Sequence, residues 1–176
     1  MYSEAQCSTA KEVVRYGGTS IWHINATGSL ITKSAKSESP IYLYAVVMPV
    51  KIVGEPCLPL VEWLSNSHNT VNISSTLFSW WIRVKELVRM PETIVTYCSW
   101  ALMHSVASVF NRITLDRQLD RQWEMFSKGD VNQEFVSLRL CAAHYLKSIS
   151  RRLARMGYSK QVLLLSGFNV NDKIIQ

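Results

Sequence analysis

The sequence has few of the residues that build familiar catalytic loops. Only seven glycines occur in 176 residues, and there is no Gly-x-Ser-x-Gly turn and no glycine-rich loop. The first motif presents a nucleophilic serine and the second cradles phosphate groups, so both kinds of chemistry are disfavoured. We therefore predict a protein that is not an enzyme and uses no cofactor. A hydrolase whose cysteine and histidine meet only in the fold is a lower-ranked alternative.

Cysteine is scarce as well. Four cysteines lie at wide, irregular intervals, which disfavours a disulfide framework. With no secretory signal ahead of them, they favour a reduced, cytosolic protein. Structural zinc sites normally show two tight ligand pairs. Cys141 and His144 form one such pair, whereas Cys98 and His104 are more loosely spaced, so we expect no metal site.

Charged residues are few and uneven in sign. They make up 18% of the chain, with 19 Lys and Arg against 13 Asp and Glu, which gives a net charge of +6. The low total favours surface that is buried by self-association, and the excess of cations favours a phosphate-bearing partner. Residues 93–111 carry no charge and are long enough to span a membrane. Their polar side chains favour buried strands instead.

The hydrophobic patterns predict an α+β fold, with an open antiparallel sheet and two to three packed helices. We expect residues 1–39 to form a flexible N-terminal arm and residues 40–176 to form a single α+β domain. In the arm, 21–24 and 30–31 are predicted strands around a turn at 25–28.

The domain is expected to begin with a strand rich in β-branched and aromatic residues. Its further elements are predicted from periodicity and from capping residues. In chain order they are a strand over 41–53 with a bulge or edge at Pro49; a short helix through Val61, Trp63 and Leu64; a helix capped by Ser74 or Ser75 and stopped by Pro91; a strand over 93–103; a strand or helix over 106–115; a hairpin extension or exposed helix over 112–124; and strands over 134–140 and 161–168.

The strongest functional signal is a basic helix that begins at Ala142. Apolar residues recur on one face at Ala142, Leu146, Ile149 and Leu153, and Gly157 follows as the expected cap. We predict that the apolar face is buried and that the basic face binds an anion or is simply solvated. The candidate residues for contact with an anionic membrane or a ribonucleoprotein are Lys147, Arg151, Arg152, Arg155 and Lys160.

Apolar residues in the arm are the candidates for self-association. They are Ile21, Trp22 and Ile24, and Trp22 is the expected exposed anchor. Trp80, with Arg83 and Lys85 nearby, is a second aromatic of interest because exposed indoles stack on nucleic-acid bases.

The run from Ile41 to Val88 resembles the central part of rhabdovirus matrix proteins. Its parts are an aromatic-rich strand (IYLYAVVMPVKIV), a short tryptophan-bearing helix (LVEWLSN) and an amphipathic helix (LFSWWIRVKELV). The length resembles the short matrix proteins of plant-infecting, cytorhabdovirus-like members.

This resemblance implies a non-enzymatic structural protein of the virion. Such a protein self-associates and bridges the viral nucleocapsid, a ribonucleoprotein, to the anionic membrane surface beneath the envelope, with the envelope glycoprotein tail as a further partner. It would also occur in the host cytoplasm and on host membranes in infected cells. The alternative is a viral nucleic-acid-binding regulator, such as an RNA silencing suppressor.

Overall fold

The computed structural model describes residues 8–12, 20–28, 40–52, 55–129 and 135–157. They belong to two compact units, one ending at Arg139 and the other beginning at Leu140. Helices accompany an open sheet, which confirms the α+β fold. The longer elements are β1 (Ile21–Gly28), β2 (Tyr42–Ile52), β3 (Glu55–Ser65), α1 (Thr70–Val84), β4 (Thr93–Thr96), α2 (Trp100–Val106), α3 (Leu115–Lys128), β5 (Ser137–Leu140) and α4 (Ala142–Arg155).

The sheet has five strands in the order β3-β2-β1-β4-β5. β1 and β2 are antiparallel, as are β2 and β3, but β1 and β4 run parallel. The expectation of a wholly antiparallel sheet is therefore wrong at one pair. The chain leaves β3 at one edge and returns through α1 to the far side of β1, and a helical connection of this kind permits parallel neighbours.

β1 is the middle strand rather than part of a flexible arm. Residues 25–28, the predicted turn, continue the strand and pair with residues 42–45 of β2. The prediction of a flexible arm over residues 1–39 is thus wrong for residues 20–28, and also for residues 8–12, which are helical and place Ala10 in the core. The strand expected at 30–31 lies outside the described residues, as does the one expected at 161–168.

β2 confirms the predicted strand, and its register with β3 shifts after Pro49, where an irregularity was expected. The helix predicted around Trp63 is wrong, because this segment is the edge strand β3. Proline is tolerated at an edge, where a missing N–H leaves no gap in the ladder, so Pro56 and Pro59 do not prevent the strand.

α1 begins earlier than predicted. The side chain of Asn69 accepts a hydrogen bond from the Asn72 backbone N–H at 2.9 Å and caps the helix at Thr70. The buried side of α1 consists of Ile73, Leu77, Trp80 and Val84. Trp80 is therefore a core residue, and it is not free to stack on a nucleic-acid base.

The strand predicted over 93–103 ends at Thr96, and Ser99 then caps α2. A π-helical turn (Ala107–Asn111) follows, and the left-handed residue Arg112 ends it. α3 confirms the exposed-helix alternative for 112–124. No helix in the described parts of the chain combines the length and apolar character that crossing a bilayer requires.

Trp22 lies at the centre of the hydrophobic core. Its ring contacts those of Trp80, Trp81 and Phe110 at centroid distances of 5.7, 5.9 and 6.1 Å. Alternate residues of β1 face the same side, so Trp22 and Ile24 are both buried. The prediction of Trp22 as an exposed anchor is wrong, and of the three proposed self-association residues only Ile21 is partly exposed.

Candidate functional site

α4 is a 14-residue helix with exposed cations and no acidic residue. Four of the predicted anion-binding residues lie on it, and all four are exposed: Lys147, Arg151, Arg152 and Arg155. Lys160 lies outside the described residues. Gly157 adopts φ +83°, the left-handed conformation expected just beyond the helix. The ion pair seen between described residues joins Lys85 to Glu86 at 3.8 Å, and no described carboxylate pairs with Lys147, Arg151, Arg152 or Arg155.

The apolar face of α4 is not buried, which corrects the sequence prediction. Leu146, Ile149 and Leu153 are half-exposed, and no residue of the helix is buried. The stripe and the cations lie on different faces: Lys147, Arg151 and Arg155 recur every four residues, on the side opposite Leu153. Among the described residues, α4 therefore has an exposed cationic face and a half-exposed apolar face.

α3 packs on the sheet through amides rather than through its apolar stripe. β5 is the outermost strand, and the backbone groups of Leu138 on this strand and of Val136 just before it bond to the side chains of Asn111, Gln118 and Gln122. Asn111 Nδ2 and Gln118 Nε2 donate to the Val136 carbonyl at 2.8 and 3.0 Å, and Asn111 Oδ1 accepts from the Val136 N–H at 2.9 Å. The Gln122 amide pairs in the same way with Leu138. These amides substitute for a sixth strand and cover the edge.

The consequence of this packing is an exposed apolar stripe on α3. Leu115 is buried at the start of the helix, but Leu119, Trp123 and Phe126 are 44%, 70% and 82% exposed. Trp123 and Phe126 line an open groove of about 990 Å³ together with residues of β5. Sequence reasoning did not single out this stripe, although its spacing of four, four and three residues is readable in the sequence.

His68 lies in a polar network between the end of β3 and the start of α2. Its Nδ1 is 2.8 Å from the Tyr44 hydroxyl, and its Nε2 is 2.9 Å from Ser99 Oγ. The Tyr44 hydroxyl is also 3.2 Å from the Ser67 carbonyl oxygen, and the Tyr97 hydroxyl is 3.3 Å from His68 Nε2. The tautomer of His68 sets which of its ring nitrogens donates and which accepts in these contacts.

This geometry matches that of a serine paired with a base. Ser99 is buried, however, and its Oγ also accepts from the Leu102 backbone N–H as the cap of α2. The hydrogen bonds of Ser99 therefore indicate a structural role, in which Ser99 connects α2 to the turn that precedes α1.

The network makes folding sensitive to pH. Burial lowers the pKa of His68 from its ordinary value of 6.5 and raises the pKa of Tyr44 to about 12, with Tyr97 and Tyr42 adding to the second effect. The unfolded chain therefore binds a proton at this histidine more readily than the folded one. Stability should fall as the pH drops below about 6.5, and the fall should end below the lowered folded pKa.

We expect His68→Gln to flatten this pH dependence between pH 7.5 and 5, as measured by urea unfolding. Burial also lowers the pKa of His23, but that residue is unchanged in both the wild-type and the His68→Gln protein. An unchanged slope in His68→Gln would contradict the assignment.

The cysteines and histidines form no metal site in the described part of the chain, where no group of three or more potential ligands comes together. Cys98 is exposed and Cys141 partly exposed, both as free thiols.

No family model, curated protein or solved structure matches this chain. One part of the resemblance to rhabdovirus matrix proteins is altered by the fold, since LVEWLSN lies on a strand and the turn that follows it rather than on a short helix.

Proposed function

We propose that this protein is a non-enzymatic assembly protein that binds anionic surfaces through α4 and associates with copies of itself. In the viral setting that the sequence suggests, a matrix protein of rhabdovirus type, the anionic partners are the inner membrane surface and the nucleocapsid. The observation that carries the proposal is the exposed row Lys147, Arg151 and Arg155 on a helix without acids.

The spacing of this row supports contact with several phosphates at once. Residues four apart on a helix lie about 6 Å from each other, so the row presents three charges along roughly 12 Å. Each cation near an anionic membrane contributes about 1 kcal/mol. No carboxylate of the described residues forms an ion pair with this row and so competes with a phosphate for its cations.

The alternative function is RNA binding in which an exposed tryptophan stacks on the bases, and the two tryptophans expected in this role are not exposed. Trp22 and Trp80 are buried, and neither is within reach of a base. Phosphate contacts from α4 would bind RNA and lipid alike, without sequence preference.

We expect the double substitution Arg151→Glu and Arg155→Glu to weaken binding to phosphatidylserine vesicles. Removing two contacts of about 1 kcal/mol each lowers the affinity at least about 30-fold. Vesicle flotation measures binding, and circular dichroism with thermal unfolding should show an unchanged fold because both side chains are exposed.

Arg83→Glu with Arg89→Glu is the matched control. Both residues are exposed in the first unit, and the net charge changes by the same amount. Equal loss in the two double variants would contradict a site on α4 and indicate attraction by overall charge. Wild-type protein that ignores vesicles but binds RNA, with affinity that falls steeply with salt, would favour the alternative.

A further inference from the structure

The exposed stripe of α3, formed by Leu119, Trp123 and Phe126, is bordered by acidic residues on its open side. Asp116, Asp120 and Glu124 each follow one position after an apolar residue of the helix, and therefore form a row beside it. Asp120 lines the groove together with Trp123 and Phe126. No ion pair in the described residues engages this acidic row.

Some cations of α3 lie beyond the acidic row: Arg117 and Arg121 line a second cavity with Asp120 and Glu124, but no ion pair joins these described residues. Arg117, Arg121 and Lys128 fall on the side of the helix away from the stripe. Arg121 lies over the ring of Phe135, 4.9 Å from its centroid. The other border of the stripe is the amide row Gln118 and Gln122, which bonds to the backbone of Val136 and of Leu138 in β5. A partner segment must therefore be apolar on one face and basic along its edge.

α4 has this chemistry. Like α3 it is 14 residues long, its apolar stripe is half-exposed, and it carries no acid. Arg152 lies at the edge of the stripe, one position before Leu153, where it can face an acidic row. Apolar surface that is exposed on both helices and carries opposite charges at its borders is complementary.

We propose that α4 of a second copy of this chain docks on the α3 stripe. The inference rests on the self-association in the proposed function and names the surfaces that produce it. Both stripes are at least partly exposed among the described residues, so each has apolar surface that a partner can cover. Docking through the apolar face leaves Lys147, Arg151 and Arg155 on the outer side of α4, so an anionic surface can bind at the same time.

The two surfaces differ, so the contact is heterologous. Each copy offers one α3 and one α4, and successive copies can add head to tail. Light scattering and sedimentation should therefore show wild-type particles that grow with concentration rather than stop at a dimer.

Two variants test the pairing. Trp123→Asp with Phe126→Asp disables α3, and Leu153→Asp disables α4; all three side chains are at least partly exposed, so the fold should persist by circular dichroism. Each variant alone should remain monomeric. An equimolar mixture should form a one-to-one dimer and nothing larger, because one partner keeps only α3 and the other only α4.

A charge exchange tests the borders. Asp120→Arg and Arg152→Asp should each weaken association by about tenfold or more. For the exchange, Asp120→Arg is placed in the Leu153→Asp protein, which keeps its α3 stripe, and Arg152→Asp is placed in the protein with the disabled α3, which keeps its α4 stripe. Mixing these two proteins should restore the dimer. Trp100→Asp, at an equally exposed tryptophan outside both stripes, is the control and should assemble normally.

The outcomes separate this inference from the proposed function. Oligomers that persist in both disabled variants would keep self-association but overturn the pairing of α3 with α4. A mixture without dimer, whether because α4 covers α3 of its own chain or because like helices pair, would also overturn it. A wild-type protein that stays monomeric at high concentration would overturn self-association itself. Vesicle flotation of the α3-disabled variant reports separately on anion binding, which should be retained.

Discussion

Trp22→Ala is expected to lower the free energy of unfolding by about 3–5 kcal/mol, which is a large part of the stability of a domain this size. Trp22 has no exposed surface and lies on the middle strand of the sheet, where its ring contacts Trp80, Trp81 and Phe110. Truncation to alanine leaves a cavity, because the surrounding sheet and helices relax only partly to fill it. Urea unfolding followed by circular dichroism measures the loss.

Two further tryptophan variants provide reference values for this change in the free energy of unfolding. Trp123→Ala removes the same ring from an exposed position and should change stability by no more than about 0.5 kcal/mol. Trp22→Phe should fall between the two, because it keeps most of the apolar volume and removes an indole N–H that has no hydrogen-bond partner among the described residues. Equal effects at Trp22 and Trp123 would contradict the placement of Trp22 in the core.

Asn111→Ala is expected to lower the free energy of unfolding by about 2–4 kcal/mol, although Asn111 contributes almost no apolar surface. The substitution leaves the Val136 N–H without its acceptor and takes a donor from Gln118 Oε1. Val136 and Gln118 are fully buried, so water does not replace the lost bonds. Each unsatisfied buried group costs about 1–3 kcal/mol.

Hydrogen exchange locates this effect along the chain. The Val136 amide should exchange much faster in Asn111→Ala, while the Leu138 amide keeps Gln122 as its acceptor and should change less. Asn66→Ala, at an exposed turn, is the control and should leave both stability and exchange unchanged. Uniform acceleration at every amide would indicate global destabilisation instead of an uncovered edge.

Sequence patterns located elements best where local chemistry and burial agree. The strand of β2 is rich in β-branched and aromatic residues, and the residues of α4 have helical periodicity with Gly157 at the end. These elements were predicted within a few residues. The exposure of the α4 cations followed from the same pattern, since the charged positions repeat every four residues on one face.

The errors occur where tertiary pairing decides. The segment 25–28 has the composition of a turn, yet its backbone pairs with β2 and remains extended. The segment around Trp63 has helical spacing, but its backbone completes hydrogen bonds with β2 at the edge of the sheet. Local preferences amount to tenths of a kcal/mol per residue, and a ladder of backbone hydrogen bonds outweighs them.

The sequence by itself determined the α+β class, the main strand, the basic helix and the shortage of acids beside its cations, because each depends on residue order within one element. Only the tertiary structure decided that Trp22 is in the core and that the α3 stripe is exposed. The middle position of β1 buries Trp22. The amides of Asn111, Gln118 and Gln122 attach α3 and the turn before it to Val136 and to Leu138 of β5. Which face of an amphipathic helix is covered depends on what the rest of the chain places against it, and a single element does not contain that information.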